Sequence, residues 1–223
     1  MPIVIAAGPS VGDYDRLHLE NIARLGFTFA VNDVCFNFPC DVVVSIDPQM
    51  LVKRKEELAR LGKPIITRCW SFTKDLAKKY GLDIITMSPI QDERDEVYDA
   101  RIVKRYPLSG MLACKLADRL SIACGGDRKS YVIGMDASQG HYKGHPVQQD
   151  EVKYLDDARP LSKYEDMALT NTVNLSVHSK ISTWPKQSKL PKIEKIIVTQ
   201  TYRAIAIAWL RGNAHKELFE GVK

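Results

Sequence analysis

Short apolar runs alternate along this chain with segments whose apolar positions recur every three to four residues. Pro2 to Ala7 is an apolar run that stops at Gly8-Pro9-Ser10, and from Asp13 to Leu25 the residues Leu17, Leu19, Ile22 and Leu25 keep helical spacing. The unit then repeats. Phe27 to Val31 predicts a strand ending at Asn32-Asp33; Asp41 to Ile46 predicts another, ending at Asp47-Pro48 and followed by a charged amphipathic helix over Gln49 to Leu61. Ile65 to Arg68, a helix over Ser71 to Tyr80 and a β-rich run at Leu82 to Thr86 continue the alternation. A charged excursion from Gln91 to Arg105 interrupts it before a clear helix over Met111 to Ile122 and a core strand over Ser130 to Gly134.

Beyond that strand the pattern weakens. Asp136 to Pro160 is polar and has no sustained period, the profile of a functional loop or lid. Glu165 to Ile181 reads as helical, Trp184 to Lys192 as a Pro/Lys linker, Ile193 to Thr199 as strand-like and Tyr202 to Trp209 as a short apolar helix. Parallel strands need crossover connections, and the crossover helices cover both sheet faces, so this alternation predicts an α/β fold: a doubly wound, mostly parallel Rossmann-like sheet with a lid-like excursion. The expected division is a nucleotide-binding core over 1–135, a lid or acceptor-side segment over 136–183, and a C-terminal strand and helix returning to the core over 184–223.

Composition narrows the class. The chain has 223 residues, 45% of them hydrophobic and 26% charged, enough to bury a substantial core. No apolar run approaches the roughly 20 residues of a membrane helix, and the first residues lack the features of a signal peptide, so the expected location is the cytoplasm. Five cysteines at irregular spacings contain no CxxC pair, which argues for reduced thiols and against a zinc site. A net charge of +5, without a polybasic tract, favours anionic partners only mildly.

In a doubly wound sheet ligands bind beyond the carboxyl ends of the strands, and that rule selects the candidate residues. Gly8, Pro9 and Ser10 form either a plain βα turn or a phosphate loop, with Gly8 admitting close backbone approach and Ser10 offering a hydroxyl. Asn32 offers an amide to a base or ribose, or closes an Asx turn. Asp47 holds a ribose hydroxyl or caps the helix that starts at Pro48. Ser109-Gly110 opens a helix whose amides attract anions, with Arg105 as a possible clamp and an N-cap role for Ser109 as the competing account. Asp136 ends the next strand and joins the nucleotide-binding set. The stretch after it, through His141-Tyr142-Lys143-Gly144-His145, carries imidazoles suited to proton transfer near neutrality, or is a solvated loop. The acidic triplet Asp13-Tyr14-Asp15 at a helix start reads as capping.

These segments, VIAAGPS, VND, SGM and VIGMD followed by HYKGH, together resemble the bacterial lipooligosaccharide sialyltransferase family. The resemblance implies a Rossmann-like nucleotide domain with a smaller lid and metal-independent, inverting sugar transfer from a CMP-type donor, or more broadly a CMP- or UDP-type donor, to a hydroxyl acceptor. It would place Gly8, Pro9 and Ser10 at the donor phosphate, Asn32 at the nucleotide and Ser109-Gly110 near the cytidine. His145 would be the general base, with Tyr142 and Lys143 steadying the departing phosphate. The acceptor is left open among a glycan, a metabolite and a modified nucleobase, and assembly into a homo-oligomer is compatible with the likeness. The GPS, Asn and Gly-x-Asp pattern also resembles the archaeal hydroxymethylpterin diphosphokinase-like family. That alternative implies ATP-dependent chemistry with Mg2+ held by Asp47 and Asp136. A third reading is a nucleotide-binding module without catalysis.

Overall fold

The structure is a computed structural model, and it describes residues 1–68, 70–90, 102–104, 108–125, 129–137, 161, 164–189, 192, 197–213 and 218–219. The strands are β1 (Pro2–Ile5), β2 (Phe27–Val31), β3 (Val42–Val44), β4 (Ile65–Arg68), β5 (Ile84–Ile90), β6 (Ile102–Lys104), β7 (Ser130–Ile133) and β8 (Thr172–Asn174). They pair side by side in the order β6-β5-β4-β3-β2-β1-β7-β8, every pair parallel. This is the doubly wound parallel α/β sheet that the alternation predicts. Because β1 has β2 on one side and β7 on the other, the winding reverses at the β1/β7 boundary, the topological switch point of the sheet.

Each helix ends where its sequence stops it. Helix α1 (Arg16–Leu25) starts at Asp15, whose carboxylate accepts from the His18 N–H at 2.8 Å, and closes with the Gly26 N–H on the Ile22 carbonyl. Helix α2 (Pro48–Lys53) is capped by Asp47, which accepts from the Gln49 N–H at 2.8 Å, with Pro48 at the first helical position. Helices α3 (Lys55–Leu61) and α4 (Thr73–Tyr80) stop at Gly62 and Gly81, both left-handed. Helix α5 (Ser109–Ala123) is buried on nearly all sides, and α6 (Gln200–Leu210) is capped by Thr199.

Alternation along the strands divides the core into two layers. Val4, Phe27, Phe29, Val42, Val44 and Ile66 face α5 and α6, where Leu116, Leu120 and Trp209 complete the packing. Ile3, Ile5, Ala30, Val43 and Ile65 face the opposite way, against Leu19 and Ile22 of α1, Leu51 of α2 and Leu58 of α3. The near-continuous apolar reading of β1 to β3 follows from this double coverage.

Two expectations require correction. Glu165 to Ile181 does not form a helix: it contains β8, paired to β7 with Tyr131 beside Val173. A run of three residues, two of them polar, carries no legible period. What holds it is Asp118 of α5, whose buried carboxylate accepts from the Asn171 N–H and the Thr172 hydroxyl, each at 2.7 Å. Of the expected strand over Ile193 to Thr199, the described residues 197–199 are coil, and 193–196 lie outside the described residues. No helix among the described residues is long and apolar enough to cross a membrane.

Candidate functional site

All strands run the same way, so the polar residues that follow them share one edge. At the switch point, the Gly8 N–H donates to the Gly134 carbonyl at 2.9 Å, closing the turn after β1 onto the turn after β7. A Cβ on Gly8 would sit 2.1 Å from Asp136 Oδ2 and 2.4 Å from the Gly134 oxygen, so the approach requires glycine. Gly134 has φ +77°, and a Cβ there would lie 2.3 Å from the Ala6 oxygen.

Within this contact the Asp136 carboxylate meets Ser10. It accepts from the Ser10 N–H at 3.0 Å and from the Ser10 hydroxyl, and both residues are buried. The Ser10 N–H and hydroxyl, which a phosphate loop would turn to its ligand and a plain turn would not, are thus bonded to an internal carboxylate, which an incoming phosphate would have to displace. Burial pushes the Asp136 pKa above the ordinary aspartate range and Asp13 adds to the rise, whereas the Ser10 bonds and His178 pull it down. The Ser10 hydroxyl also accepts from the His178 N–H at 3.0 Å, tying the segment after β8 to the turn after β1. The His178 imidazole, largely exposed, lies 2.9 Å from the Asp13 carboxylate through Nε2. Asp15, not Asp13, is the α1 cap, so the acidic triplet divides between a cap and this pair. Nothing in the residue types around His178 pointed to it, because its partners are distant in the chain.

The β2, β3 and α5 termini complete the edge. Asn32 has φ +52°, and its Oδ1 is buried without a hydrogen-bond partner among the described residues. Next to it, Asp33 is paired with Arg54, which also binds Glu57 and lies over the Phe36 ring at 4.3 Å. Asp47 is exposed and caps α2. Ser109 does not cap α5, whose N-cap is Leu108; its hydroxyl accepts from the Ile46 N–H at 3.0 Å and fixes the end of β3 to the start of α5. Gly110 packs under Met135, where a Cβ would come within 2.6 Å of the methionine methyl. Gly8, Pro9, Ser10, Asn32, Asp47, Ser109, Gly110 and Asp136 all therefore follow strands or open a helix on the carboxyl edge, with the side-chain groups of Ser10, Asp47, Ser109 and Asp136 bonded within the protein. Arg105, Tyr142, Lys143 and His145 lie outside the described residues.

A doubly wound α/β protein with its polar strand ends along one sheet edge, and the turns after β1 and β7 joined at the switch point, is the class that this geometry defines. Comparison with protein-family models, curated proteins and solved structures finds no match to the chain.

Proposed function

We propose that the carboxyl edge binds a nucleotide and that the protein is a glycosyltransferase, moving a sugar from a CMP- or UDP-type donor to a hydroxyl acceptor. The observation that carries this reading is the common position of the turns after β1, β2, β3 and β7 and the first residues of α5 on one sheet edge, where folds of this architecture bind their ligands. The resemblance of the strand-end segments to the lipooligosaccharide sialyltransferases adds the reaction. In it His145 removes the proton of the acceptor hydroxyl as the bond from the donor sugar to its phosphate breaks, and Tyr142 and Lys143 stabilise the phosphate that leaves.

The diphosphokinase alternative asks Asp47 and Asp136 to hold a metal. Asp47 caps α2 through one oxygen and both oxygens of Asp136 accept from Ser10, so a metal at these carboxylates would compete with existing bonds just as a donor phosphate at Ser10 would.

A thermal-shift panel of CMP, UDP-sugars and ATP, each with and without Mg2+, tests the proposal, followed by donor hydrolysis in the wild type and in His145→Ala. Stabilisation by a pyrimidine nucleotide without metal, with turnover lost and binding kept in His145→Ala, is expected. Stabilisation by ATP only in the presence of Mg2+, with turnover unchanged in the variant, overturns it.

A further inference from the structure

His178 stands on a turn that the fold fixes from several sides. Its neighbours Ser176 and Ser179 are buried: the Ser176 hydroxyl accepts from the Met135 N–H at 2.9 Å, and the Ser179 hydroxyl donates to the Met135 carbonyl at 2.9 Å. The Ser179 N–H closes the turn on the Ser176 carbonyl at 3.0 Å, and the Lys180 N–H donates to the Asp136 carbonyl at 2.9 Å. With the His178 N–H on the Ser10 hydroxyl, the turn after β8 is pinned to the turns after both β1 and β7. From between the two buried serines the imidazole reaches solvent, with 59% of its side-chain surface exposed.

The ring is held as well. Asp13 lies in the turn after β1, and its carboxylate, which only accepts, takes the hydrogen on Nε2 across 2.9 Å. Nδ1 is left without a partner among the described residues. Asp13 and Asp136 are the charged groups that act on this imidazole among the described residues, and the Tyr14 phenol next to Asp13 is turned to the Leu175 carbonyl. The pair is ionic when the ring carries a second proton, and that proton then sits on Nδ1. An exposed ion pair adds little to stability. A fixed and accessible imidazole, oriented through one nitrogen by a carboxylate and free at the other, is the arrangement of a proton-transfer group.

Its place decides what receives the proton. The turn after the first strand of a doubly wound sheet is where such folds take the phosphate of a nucleotide. In this turn the Ser10 N–H and hydroxyl are buried and given to Asp136, whereas the Nδ1–H of a protonated His178 is an exposed donor directly beside them. We propose that His178, oriented by Asp13, is the acid of the glycosyl transfer and gives its Nδ1 proton to the phosphate oxygen of the nucleotide-sugar donor. The bond from the anomeric carbon to that oxygen breaks, its electron pair stays on the oxygen, and the oxygen takes the proton. The acceptor oxygen bonds to the anomeric carbon and gives its own proton to His145, and exchange with water restores both rings. The proposal rests on the glycosyl-transfer reading above; it adds His178 as a catalytic residue and Asp13 as its positioning residue.

His178→Gln and Asp13→Asn test it, since both side chains are exposed and neither change touches the core. The measurements are melting temperature, calorimetric binding of CMP and UMP, and turnover of CMP-sialic acid and a set of UDP-sugars from about pH 5 to about pH 9, the range that spans imidazole titration. In His178→Gln the melting temperature and the nucleotide affinity stay those of the wild type, while kcat falls about 100-fold or more. The decline of kcat on the alkaline side, where the wild-type ring loses its proton, is absent from that variant. Asp13→Asn lowers kcat by less and keeps the alkaline decline. A kcat in His178→Gln within about threefold of the wild type, an alkaline decline that persists in it, or a loss explained by weaker nucleotide binding or a lower melting temperature overturns the acid alone. A wild type that turns over none of these donors overturns the glycosyl-transfer reading together with it.

Discussion

The carboxylate of Asp136 takes both the N–H and the hydroxyl of Ser10, joining two turns that are 126 residues apart in the chain. This contact seals the switch point between β1 and β7, and its ionisation makes stability depend on pH. Asp136 titrates above the ordinary aspartate value of 3.8 when folded, with burial as the main cause. The folded protein thus holds this proton more tightly than the unfolded chain does. Its stabilising contribution is complete below pH 3.8 and is lost as the pH rises through the raised value. In Asp136→Asn that dependence disappears, so the melting temperature of the wild type minus that of the variant should fall as pH increases from about 4 and then level off. Calorimetry in steps of pH measures this difference; a difference that grows with pH would show that the Ser10 bonds outweigh burial. Asp136→Ala, which orphans both Ser10 donors, should cost about 2–3 kcal/mol in urea unfolding.

Gly8 and Gly62 separate collision from backbone strain. Gly8 has φ −64°, a value any residue adopts, but a Cβ there meets Asp136 and the Gly134 carbonyl; Gly62 has φ +63° with nothing within 4 Å. Gly62→Ala should cost about 1 kcal/mol, from left-handed strain alone. Gly8→Ala should cost about 3 kcal/mol or prevent folding, from overpacking against backbone. Chemical denaturation of the two variants compares them, and equal losses would contradict the tightness of the turn.

Arg203 of α6 ties the C-terminal helix to the sheet. Its guanidinium pairs with Asp41 and donates to the Arg24 and Gly26 carbonyls, the latter at 2.7 Å, while Asp41 also accepts from the Thr28 N–H at 2.8 Å. Arg203→Ala should destabilise by about 2 kcal/mol, because a partly buried carboxylate loses its cation and two carbonyls lose a donor. Arg203→Lys should recover little of this, since a single ammonium cannot span three acceptors. Hydrogen exchange should show the loss concentrated in α6 and the turn between α1 and β2.

The thiols of Cys35, Cys40 and Cys114 are free and buried. Burial is the largest influence on each, pushing Cys40 up to about 12 and the other two upward as well. In the native protein at pH 8 these three should resist alkylation by iodoacetamide and become labelled only in denaturant, as peptide mapping by mass spectrometry would reveal. Rapid native labelling of any of them would mean that its part of the core opens readily.

Much of the fold was legible because local periodicity reports burial. The apolar runs at β1 to β4 and β7 mark strands covered on both faces, Asp15 and Asp47 mark helix starts, and strands separated by helices run parallel. From parallel strands it follows that Gly8, Asn32, Asp47 and Asp136 share an edge, so the candidate edge could be named in advance. Pairing across long separations was not legible. That Ser10 bonds Asp136 and His178, that Ser109 holds Ile46 and not its own helix, that Asp118 places β8, and that His178 meets Asp13 all depend on strand order and register. Those are properties of the assembled sheet: a residue's own neighbours along the chain determine whether it is buried, but only the tertiary structure decides which distant group it meets there.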